Sequence, residues 1–160
     1  MGLDNIPRQY PCEEKAIREE GRIDCVATQN AGFCTWKNEY ESNPLVNDTR
    51  PAIGIFGTDC WYRGKYGNWL LSVLEDQDDA YHTTKEGYSF YGNGDGEEEG
   101  ISPDECLEMS KWMADNTELF AFQARKNHPD RAQEITKDWI YASWWLKFVG
   151  EKCDGSQVWY

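Results

Sequence analysis

The sequence predicts an α+β fold, a small single domain whose C-terminal half is mainly helical. Three to four helices pack over an irregular, cysteine-bearing N-terminal β/loop region. Three observations lead there. Ile135, Trp139, Ala142, Leu146 and Val149 form an apolar stripe at helical spacing. Ser102-Pro103-Asp104-Glu105 carries the chemistry of a helix start, with Ser at the cap, Pro at the first helical position and Glu three residues after the cap. The first 67 residues hold Cys12, Cys25, Cys34 and Cys60 among short apolar runs, with no long period. At 160 residues the chain suits one domain, 1–160. Its parts are residues 1–67, irregular, and residues 68–160, mostly helical with an acidic loop at 75–101.

Taken in order, residues 1–11 read as an extended arm, because Pro7 and Pro11 exclude a helix. Pro11 to Glu20 has helical end signals and one apolar anchor, Ile17, which suggests two helical turns stopped by Gly21. Arg22 to Val26 alternates as a short strand does, and Pro51 to Gly57 is a short apolar run that fits a buried strand. Gly57 to Trp69 then packs Cys60, four aromatics, Arg63 and Lys65 between glycines. Asn68 is placed to cap a helix with the body Trp69 to Leu74, which the carboxylates of Glu75 to Asp79 stop at its negative end. Ala80–Thr84 and Tyr88–Tyr91 flank Lys85-Glu86-Gly87 as the arms of a hairpin would.

In the last third, Cys106, Met109 and Met113 follow Ser102 at helical spacing. Asp115-Asn116-Thr117-Glu118 repeats the start signal and predicts a break, with a second segment through Lys126. His128-Pro129 restarts the chain. From Asp130 a helix of about twenty residues runs to Gly150. The aromatic tail Val158-Trp159-Tyr160 is expected to dock on the domain.

Charge is concentrated in one place. The net charge is −13, yet residues 75–108 alone hold one cation, Lys85, against 12 anions. That balance argues against direct nucleic-acid binding, which needs a basic footprint. No apolar run approaches a membrane span, and the first residues carry no secretory pattern, so a cytoplasmic protein without membrane contact is expected.

No catalytic motif is legible. Cys12, Cys25, Cys34 and Cys60 supply four soft ligands for a structural zinc, but their C-x12-C-x8-C-x25-C spacing lacks the close pair of zinc knuckles. Buried thiols and disulfides remain open alternatives. Residues 93–104 have the oxygen donors of a calcium loop in neither register of the EF-hand pattern. Trp61, Tyr62, Arg63, Lys65 and Tyr66 form a candidate binding group, in which cations between aromatic faces could hold an anion or a base, or pair with the acidic segment. The composition favours a non-enzymatic, acidic binding protein with a protein partner. Two alternatives stand beside it: a small hydrolase or transferase using His82 or Cys60 with acidic residues, and an anionic decoy of nucleic acid acting on a basic protein.

Overall fold

The computed structural model describes residues 4–9, 62–92 and 100–159, together with the backbone of Ile17–Glu19 and Arg22–Asp24. Six strands and four helices lie within those residues. Strand β1 is Asp4–Pro7; β2 (Ile17–Glu19) and β3 (Arg22–Asp24) form a separate antiparallel pair; β4 is Tyr62–Arg63. Helix α1 is Gly64–Leu74, β5 is Gly100–Ile101, α2 is Pro103–Asp115, α3 is Thr117–Asn127, α4 is Ala132–Lys152 and β6 is Ser156–Trp159. The larger sheet is antiparallel in the order β4-β1-β6-β5. The fold is α+β, as the sequence predicts.

The C-terminal helix forms the floor of the core. On α4 the whole stripe Ile135, Trp139, Ala142, Leu146 and Val149 is buried, and Trp145 and Phe148 widen it. Burying a stripe of this width is what holds a helix of 21 residues in place. Helix α2 lies against it through a reciprocal clasp. Ser110 Oγ donates to Ser143 O at 2.6 Å, and Ser143 Oγ donates to Ser110 O at 2.9 Å. Each small side chain satisfies itself on the other helix, so two buried hydroxyls cost little and the backbones can approach closely.

The expected start and break are both present. Ser102 Oγ accepts from Glu105 N at 3.2 Å. The chain leaves helical geometry at Asn116, whose amide donates to Trp112 O at 2.8 Å. Trp139 fills the bend: its Nε1 donates to Met113 O at 2.8 Å, and its ring stacks on Phe120 at 4.4 Å. The tail docks as β6, pairing with β1 on one side and β5 on the other.

Four local expectations are corrected. Ile17–Glu19 is a strand paired with Arg22–Asp24, where two helical turns were expected. One apolar anchor gives a short helix too little to bury. Helix α1 begins at Gly64, four residues before Asn68, so Asn68 is interior to it and wholly buried. Residues 80–91 form a turn without strand arms, because their amides bond to α1 as well as to one another. Helix α4 begins at Ala132 and runs two residues past Gly150. The expected strand at 51–57 and the loop at 93–99 lie outside the described residues.

Tyr62 joins the sheet to the helices. Its buried ring stacks on Phe90 at 4.9 Å, Trp145 at 5.2 Å and Tyr141 at 6.0 Å. Below this stack, Gly67 of α1 meets the Phe90 ring so closely that a Cβ would lie 2.5 Å from it. Gly67→Ala is therefore expected to destabilise the protein by about 1–3 kcal/mol through overpacking. Urea unfolding checks this, with a lowered midpoint and an unchanged slope.

Cys106 and Cys153 are both buried, and Cys106 is a free thiol. Burial first, and the Glu105 carboxylate second, push the Cys106 thiol from an ordinary 9.0 up to about 12. The folded chain thus keeps a proton that the unfolded chain releases near pH 9. Stability is full below that pH and falls as pH rises toward 12, by about 1.4 kcal/mol per unit from this group. The stability advantage of wild type over Cys106→Ala should shrink across that window in paired denaturation series.

Candidate acidic cleft

The turn after α1 is held from below by two side chains of, or just past, that helix. Asn68 Oδ1 accepts from Phe90 N at 2.7 Å and from Ser89 Oγ at 3.4 Å. Glu75, at the end of α1, places Oε1 2.5 Å from His82 Nε2 and accepts from Lys85 N on Oε2 at 3.2 Å. The turn closes on itself through Thr84. Its N donates to Tyr88 O, its O accepts from Gly87 N, and its Oγ1 accepts from Tyr88 N. Gly87, at φ +88°, occupies the left-handed region that a side chain would disfavour.

So fixed, the turn forms one wall of a cleft of about 170 Å³. Glu86, Gly87, Tyr88 and Ser89 line that wall, and Glu105, Glu108 and Met109 of α2 line the other. Buried Ile101 and Met109 give it an apolar base. Three acidic residues thus line one small space from two elements. Among the described residues, none of Glu86, Glu105 and Glu108 makes an ion pair. The Tyr88 phenol, which packs against Trp112 at 5.2 Å, registers the field: burial raises its pKa first, and Glu108 and Glu86 raise it further. A cleft of this kind can accept a cationic group whose apolar stem lies on Met109.

Glu75, Asp76, Asp78 and Asp79 of the same segment each accept hydrogen bonds. Asp76, in the left-handed region at φ 59°, accepts from Asn127 Nδ2 at 2.6 Å and Lys126 Nζ at 3.0 Å, tying the end of α1 to the end of α3. Those two bonds, Asn127 first, hold its carboxyl below the usual carboxylate range. Asp78 accepts from Trp69 Nε1, and Asp79 from Tyr81 N.

Four members of the candidate binding group named from sequence lie within the described residues, each with its own partners. Tyr62 lies in the core stack, and the Tyr66 hydroxyl donates to buried Asp138. Arg63 lies along β1 with Nε 3.8 Å from Asp4 Oδ1. Lys65 places its ammonium 5.3 Å from the centre of the exposed Tyr81 ring. Trp61 and the four cysteines Cys12, Cys25, Cys34 and Cys60 lie outside the described residues. His82 meets a carboxylate, but both oxygens of that carboxylate are spent on the turn, and His82 is not among the cleft residues. His128 packs edge-on to Trp69 at 5.2 Å.

Sequence reasoning missed Glu86, Glu105 and Glu108 as a group. Their only local signal is the three-residue step from Glu105 to Glu108, which puts both on one helical face. Among the described residues no cluster of three or more His, Cys, Asp or Glu side chains could hold a metal. No helix there is long and apolar enough to cross a membrane.

The two supports of the turn should fail differently. Asn68→Ala leaves the buried Phe90 amide without its acceptor and should lower global stability by about 1–3 kcal/mol. Glu75→Ala frees a peripheral attachment, so amide exchange at Lys85 and Gly87 should quicken while the unfolding midpoint barely moves. Hydrogen exchange beside denaturant titration checks both.

No family model, curated protein or solved structure matches the chain.

Proposed function

We propose that the protein is a non-enzymatic binding module that docks a basic segment of a protein partner in the acidic cleft. The observation that carries this reading is the convergence of Glu86, Glu105 and Glu108, unpaired among the described residues, on an apolar base formed by Ile101 and Met109. A cation among three acidic residues is attracted by each of them. The apolar base adds what carboxylates alone lack, a surface for the methylene stem of Lys or Arg. Around the cleft, the balance of one cation against 12 anions over residues 75–108 gives a field that draws basic partners and slows acidic ones.

An anionic decoy is the special case in which the partner's basic surface ordinarily holds nucleic acid. Competition by duplex DNA for the partner separates that case from general docking.

The test uses a lysine- and arginine-rich peptide as probe, followed by calorimetry at two salt concentrations. Binding is expected at low salt and should weaken as salt screens the charges. Replacing Glu86, Glu105 and Glu108 together by Gln should cost about tenfold in affinity, from roughly 0.5 kcal/mol for each partly exposed pair. A control carrying Asp130→Asn, Glu134→Gln and Glu151→Gln makes the same change in charge at exposed positions outside the cleft. An equal loss in the control, or no binding by wild type, would refute docking at the cleft.

A further inference from the structure

We infer that the outward face of α3 is a contact surface for a second copy of this chain, with the two helices antiparallel about Phe122. The inner side of α3 buries Phe120 and Ala124 and packs on α4 and α1. A helix so placed should turn polar residues outward. Instead, Phe122 is 57% exposed and Leu119 47% exposed. At about 100° per residue, Phe122 sits at the middle of that outer face. Glu118 and Arg125 lie along one edge of it and Leu119 and Lys126 along the other. All five are exposed.

The order of charges along α3 selects the occupant. Glu118 lies in the first turn, and Arg125 and Lys126 lie in the last. Across an antiparallel pair related by a two-fold axis, residues on the same edge meet. Glu118 of each copy then faces Arg125 of the other, and the two Phe122 rings meet near the axis. A parallel two-fold pair would instead bring opposite edges together, setting Glu118 against Leu119 and cation against cation at Arg125 and Lys126. Among the described residues neither Glu118 nor Arg125 makes an ion pair within the chain. On the other edge Lys126 is held by Asp76, which leaves its stem free to cover Leu119 of the second copy. A face of two helical turns is small, so the association belongs to the weak, concentration-dependent class.

Sedimentation equilibrium across a concentration series of the full chain tests this. The average mass should climb from the monomer toward twice that value. Phe122→Gln should hold it at the monomer. Glu118→Lys and Arg125→Glu should each weaken association, and the two together, which restore the pairing with the charges exchanged, should recover it. Circular dichroism of each variant verifies that α3 remains folded. A wild type that stays monomeric throughout would overturn the inference. So would association indifferent to Phe122→Gln, or a double exchange no better than either single one.

Discussion

One aromatic stack sets the spacing on which the other parts depend. Tyr62 belongs to a two-residue strand, and so short a strand has little pairing of its own to hold it. Its ring instead meets Trp145 and Tyr141 of the long helix and Phe90 of the turn, two elements distant from it in sequence. Large rings bury much area with few rotatable bonds, so three contacts on one ring locate it firmly. Gly67 lets α1 pass directly against Phe90. Asn68, the next residue, binds the Phe90 backbone. The wall of the cleft is thereby referred, through two successive residues, to the centre of the core.

The acidic segment divides its work. Glu75, Asp76, Asp78 and Asp79 accept hydrogen bonds that end α1, reverse the chain and join α3. Glu86, Glu105 and Glu108 instead line the cleft. A high local density of negative charge normally opposes compact structure. Here the first set offsets part of that opposition through short-range hydrogen bonds.

What the sequence made legible was what neighbours in sequence decide. The stripe on α4, the cap at Ser102 and the break at Asn116 are set by residues within a few positions of one another, and all three appear where expected. Asn68 shows the limit. Its chemistry, a short amide that seeks a backbone N–H, suits a cap, but Asn68 lies inside the helix and the N–H it takes belongs to Phe90, 22 residues on. The aromatic and cationic residues near Arg63 share a stretch of sequence, yet a strand followed at once by a helix points them in different directions. Glu86 opposes Glu105 and Glu108 only because the turn is folded back on α2, and no local pattern encodes that.

The central pairing of the larger sheet joins Asp4–Pro7 to Ser156–Trp159, with Asp4 opposite Trp159. On the ribosome β1 therefore emerges long before its partner exists. The helices, whose contacts close shorter loops, can assemble while β1 still has β4 on one side only. Closing the sheet is then a late event that must follow synthesis of β6. Until that moment an exposed strand edge is open to pairing with other chains, so a nascent or truncated chain lacking β6 carries an aggregation hazard that the finished fold conceals.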